Sequence, residues 1–161
     1  MAFAIVFTLF VIGFLLVIGF NQIQDFFCVG STAQTFKAVQ DVEDLTEEVY
    51  ILSKGSGKTY PLNLPGGSKL CFLNTTDPRP HPYTNPERTW NPDPVILRNI
   101  LQNPNSPQYG SNLWIYSCGN SLGEGAKLAH VSPSKSFCAS GGDVLFLENK
   151  GRSVDISPRD Q

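Results

Sequence analysis

The stretch KGSGKTYPLNLPGG (54–67) contains Gly57-Lys58-Thr59, the closing letters of a phosphate-binding loop. Such a loop wraps phosphates in glycine-rich backbone, presents them to the N-terminus of the next helix and reaches them with its lysine. The glycine required five positions before Gly57 is Leu52 here, and Pro61 stands where the helix should begin. The expected order is also reversed, with a helix before the stretch and a strand after it. KGSGK therefore reads as a helix C-terminal cap, with Lys54 and Lys58 near the negative end of the helix dipole.

No other residue set points to catalysis. His81 lies in RPHPY and His130 in an expected strand, and neither has metal-ligand spacing. Asp41, Glu43, Asp44, Glu47 and Glu48 fall at helical spacing and read as a solvated face. GNSLG (119–123) is a poor match to a nucleophile elbow. The expectation is a non-enzyme that uses no cofactor and no metal. Cys28, Cys71, Cys118 and Cys138 show no zinc spacing. An even count in a small, loop-rich domain outside a membrane points to disulfides, and four cysteines permit three pairings. A bond within Cys71, Cys118 and Cys138 is favoured, with Cys28 left as a small apolar residue near the membrane. Asn74-Thr75-Thr76 is an N-glycosylation acceptor.

The elements that would position these residues begin with an apolar run. Residues 1–20, MAFAIVFTLFVIGFLLVIGF, carry Thr8 as their one polar side chain, and Lys37 is the first basic residue of the chain. Twenty residues at about 1.5 Å each make roughly 30 Å of helix, the thickness of a bilayer core. No basic residue precedes the run and no cleavage site follows it, so a retained helix is expected rather than a signal peptide. Asp25, where a cytoplasmic flank would be basic, favours an external C-terminal bulk. The net charge of −2, 16% charged residues and no Lys/Arg cluster give nothing for nucleic acid to bind.

The expected organisation has three parts. Residues 1–27 form a hydrophobic transmembrane or filament-core helix. Residues 28–54 continue it as an amphipathic half, with Thr35, Ala38, Val42, Leu45, Val49 and Leu52 on one face. Residues 55–161 form a β-rich extracellular domain with a proline-rich insertion at 77–107. Period-two patterns predict strands at 58–65, 68–74, 112–118, 127–132, 143–149 and 152–157. PDPVILRNILQN predicts a short helix capped by Asp93. The fold class is thus α+β, one long N-terminal helix packed on a mainly antiparallel sheet.

This plan, an apolar half-helix continuing as an amphipathic half across a sheet, resembles type IV pilins. Ile5 stands where bacterial pilins usually carry Glu, so the archaeal branch is the nearer one. The charge-free start at Met1 matches a mature, processed chain. The resemblance implies a structural subunit of an extracellular pilus, anchored in the membrane before assembly and polymerising with itself, for adhesion or attachment. Phe3, Ile5, Phe7, Phe10, Phe14, Leu15 and Phe20 would pack in the filament core or the membrane. The alternative is a single-pass membrane-anchored binding domain that does not polymerise.

Overall fold

The computed structural model describes residues 2–80, 82–83, 86–117 and 122–159; within the N-terminal helix, side chains are described at 7, 10–14 and from 30 onward. The backbone is helical over α1 (Ala2–Tyr50). Seven strands follow among the described residues: β1 (Gly57–Pro61), β2 (Lys69–Phe72), β3 (Leu113–Tyr116), β4 (Glu124–Ala126), β5 (Phe137–Ser140), β6 (Val144–Asn149) and β7 (Val154–Pro158). A 3-10 turn (Pro86–Arg88) and α2 (Pro94–Leu101) lie between β2 and β3.

Two findings correct the expected fold. First, the strands form two separate antiparallel sheets, one ordered β1-β6-β7 and the other β4-β3-β2-β5, where a single sheet was expected. Second, the expected membrane or filament-core half of the helix does not stand as described. The described helical side chains comprise Phe7, the five residues 10–14 and the run 30–50, and that last run is not apolar. Among the described residues no helix is long and apolar enough to cross a membrane. The long apolar helix is overturned to that extent, leaving a mixed α+β domain onto which the C-terminal part of α1 docks.

That docking has a clear cause. Thr35, Ala38, Val39, Val42, Thr46 and Val49 recur every three or four residues and are buried, while Phe36, Lys37, Asp44, Glu47 and Glu48 face solvent. The two buried threonines satisfy their hydroxyls within the helix, Thr35 donating to the Ser31 carbonyl (2.8 Å) and Thr46 to the Val42 carbonyl (2.7 Å). Thr35 Oγ1 also lies 3.1 Å from Ser68 Oγ, just ahead of β2. Leu52, expected on the buried face, lies beyond the helix and is exposed.

Asn149 determines how the helix ends. Its side-chain amide donates to the carbonyls of Val49 (3.1 Å), Tyr50 (2.8 Å) and Leu52 (2.8 Å), while its own carbonyl accepts from the Gly151 amide. The last carbonyls of a helix lack intrahelical partners, and one buried side chain from β6 supplies them here. The lysines expected to cap this end do not do so. Gly55, at φ 88°, then turns the chain into β1.

Period-two alternation sorts the second sheet into two faces. Leu70 and Phe72 of β2, Leu113 and Ile115 of β3, and Phe137 and Ala139 of β5 join the main core with α1, β6 and β7. Cys71, Trp114 and Cys138 point the other way, into a second cluster with Leu73, Trp90 and Ile100. Trp90 and Ile100, with Ile96, Leu97 and Leu101 beside them, thus cover that sheet face. Asp93 caps α2 by accepting from the Val95 amide at 2.7 Å. Arg88 pins the same segment by donating to Asp143 Oδ1 at 2.7 Å, both side chains being largely buried.

Two strand expectations also need correction. Residues 127–132 form a turn with a single parallel bridge, Val131 to Val154, and β4 lies just before it. β5, which the sequence pattern left unassigned, is a fully integrated strand pairing with β2.

Candidate functional site

The nucleotide-loop letters prove structural. Lys58 lies on β1, opposite Leu147, and its ammonium pairs with the Glu48 carboxylate on α1. Beside it, the Tyr60 hydroxyl donates to Asp41 (3.1 Å), and its pKa is raised by partial burial and by the carboxylate next to it. The acidic run of α1 therefore pins β1 as well as facing water. Among the described residues no group of His, Cys, Asp or Glu is arranged to hold a metal. His81, Cys118 and residues 119–121 of GNSLG lie outside the described residues.

Cys71 and Cys138 form a disulfide, directly opposite each other across β2 and β5. It joins two strands of the second cluster, under Trp90 and Ile100. The Asn74 side chain is engaged at the end of β2. Its carbonyl accepts from the Thr76 and Asp77 amides, and its amide nitrogen donates to the Ser134 carbonyl at 2.9 Å. Thr75 and Thr76, the rest of the glycosylation triplet, are exposed.

Of the residues expected in a filament core or membrane, Phe7, Phe10 and Phe14 are described, and all three are exposed; Phe10 keeps 74% of its surface. Val11 and Ile12 are exposed as well, and an added methyl at Gly13 would meet nothing within 4 Å. The side chains of Phe3, Ile5, Leu15, Phe20 and Cys28 lie outside the described set.

The structure also assembles a cleft of about 440 Å³ that no sequence motif marks. One wall is the end of α2 with Tyr109 and Gly110; the other is the turn 127–131. Asn112 holds that turn rigid. Its amide donates to the carbonyls of Leu128 and Val131 (2.9 Å each), and its carbonyl accepts from the Leu128 amide at 2.8 Å. His130 stands at φ 61°, the one non-glycine with positive φ among the described residues, and its ring stacks on Tyr50 at 3.8 Å. The Val154 amide donates to its carbonyl at 2.7 Å and helps hold it there. Lys127 and Tyr109 come together through two loops distant in sequence, so no local spacing reveals them. Comparison with protein families, curated proteins and solved structures finds no match to this chain.

Proposed function

We propose that the protein is a non-enzymatic structural subunit of an extracellular type IV-like pilus of the archaeal kind, polymerising through α1 and serving adhesion or attachment at the cell surface. The observation that supports this reading is the exposure of Phe7, Phe10, Val11, Ile12 and Phe14. Phe7, Phe10 and Phe14 line one face of α1, and no part of the β domain covers them. Ile12 sits roughly 160° around the helix from Phe10, at about 100° per residue, so the exposed apolar surface is not confined to one stripe. One flat partner would leave part of it in water; several surrounding helices would not.

Further copies of the chain meet that need. Contacts between one end of α1 and different surfaces of the next subunits are heterologous, and heterologous contacts that do not close produce fibres. Lipid is the apolar environment before assembly. Exchange of lipid for neighbouring helices then depends on close packing rather than on removal from water.

The test is gentle shearing of native cells, followed by electron microscopy and mass analysis of the released material. Thin filaments composed of this chain are expected. Phe10→Ala and Phe14→Ala should abolish or thin them while shifting the unfolding free energy of the β domain by less than about 0.5 kcal/mol, as for exposed positions in general. Unchanged filaments in both variants would overturn the reading. A chain extractable only with detergent, with no filaments, would favour the membrane-anchored binding domain.

A further inference from the structure

We infer that the cleft between the end of α2 and the turn 127–131 is a binding site for a small organic carboxylate with a ring-shaped apolar body. This goes beyond the filament reading and does not depend on it. The cleft volume, about 440 Å³, falls within the range of small-molecule sites. Polar and apolar groups line it about equally, and the apolar part forms the floor. Ile100 and Leu128 are almost fully buried beneath it, and their outer atoms line it. Tyr109 stands at the rim, half exposed, offering a ring face.

The charge at the site has one sign. Lys127 lines the cleft and makes no ion pair or hydrogen bond among the described residues, and no carboxylate lines the cleft beside it. Its Nζ lies 4.0 Å from where a side chain on Gly110 would begin, so the ammonium reaches over the cleft to the Gly110 wall. Gly110 itself, at φ 74°, keeps that wall clear. An ammonium against the wall that carries Tyr109, over an apolar floor, matches a ligand with a carboxylate at one end and a flat apolar body at the other.

The backbone supplies a second, independent sign. A non-glycine residue in the left-handed region carries strain, and such strain persists where the surroundings over-determine it, commonly at ligand sites. His130 carries that strain within the cleft wall, held by the Tyr50 stack on one side and the Val154 amide on the other. The Asn112 clamp fixes the adjoining residues. A wall held this firmly is preorganised, so little ordering opposes binding.

The experiment is an amide chemical-shift titration of the full chain in detergent with 2-naphthoate, with acetate and neutral 2-naphthamide as controls at equal ionic strength. Saturable shifts at Gly110 and residues 127–131 are expected with 2-naphthoate, together with binding at least about tenfold weaker for each control. Lys127→Gln, an exposed substitution that leaves the fold intact, should weaken 2-naphthoate by about tenfold or more and leave 2-naphthamide unchanged. No saturable shift with 2-naphthoate at millimolar concentrations would overturn the inference. So would equal binding of acetate, equal binding of 2-naphthamide, or an unaltered affinity in Lys127→Gln.

Discussion

The two described stretches of α1 carry apolar side chains into opposite situations. Around 35–49 they are buried by two sheets, and the polar atoms among them are matched one by one; at 7–14 they face outward with nothing from the domain upon them. The difference lies in the opposite face of the helix. Between 35 and 49 five acids and Lys37 alternate with the apolar stripe, so one orientation satisfies both water and core. Among Phe7 and residues 10–14, whose side chains are described, no such polar face exists, and no single orientation against one domain removes that apolar surface from water. A helix that is apolar all round requires apolar neighbours all round, which a domain of this size does not provide.

The largest expected effect tests the docked half. Val42 is fully buried in the main core, and Val42→Asp places an unpaired charge there. A loss of about 4 kcal/mol or outright failure to fold is expected by urea denaturation; a loss under about 1 kcal/mol, the scale of a surface substitution, would mean this half is not docked as described. Asn149→Ala comes next. It removes the side-chain donor from the Tyr50 and Leu52 carbonyls, while that of Val49 keeps the Leu52 amide at 3.2 Å, and is expected to cost about 2 kcal/mol, with faster amide exchange near Tyr50 as the local signature. Unchanged exchange there would assign the helix end to the Gly55 turn alone.

The smallest effect sharpens the contrast through pH. Tyr60→Phe deletes the hydrogen bond to Asp41 and is expected to lower stability by about 0.5–1 kcal/mol near neutrality, at the modest end because the site is part-exposed. The Tyr60 pKa is raised above its ordinary value of 10.0. Its contribution is therefore complete below that value and is lost as pH rises through the folded pKa, where a phenolate would face the Asp41 carboxylate. The gap between wild type and Tyr60→Phe, followed by denaturation midpoints, should close as pH climbs above about 10. A gap independent of pH would detach Tyr60 from Asp41.

Much of the β domain could be read from period-two patterns, because β2, β3, β6 and β7 alternate apolar residues within short runs bounded by Gly, Pro or Asn. The Asp93 cap of α2 was equally plain. Alternation does not say which sheet a strand joins, however, and the second sheet buries both of its faces. Cys71 and Trp114 are as apolar in outlook as Leu70 and Ile115, so nothing local announces a second cluster. β5 was missed because SFCAS lies among serines and glycines that resemble a loop. A strand was expected at 127–132, but His130 at positive φ breaks it, a conformation uncommon outside glycine that histidine visits more readily than most residues. Among the residues proposed for function, the apolar run was legible at once. The Lys127 cleft was not, because its walls are brought together by tertiary contacts alone.

The position of Asn149 has a consequence for the order of events during synthesis. The strand that carries it, β6, is the centre of the first sheet, and its partner β1 emerges some eighty residues earlier. Until β6 appears, β1 has no strand to pair with, the carbonyls at the end of α1 have no side-chain partner, and the stripe from Thr35 to Val49 lacks much of its cover. At roughly 5–20 residues per second, that stripe stays open for seconds after it has been made. A nascent chain halted between β5 and β6 would expose both apolar stretches of α1 at once, which makes that interval the one in which a chaperone or the membrane surface would have most to hold.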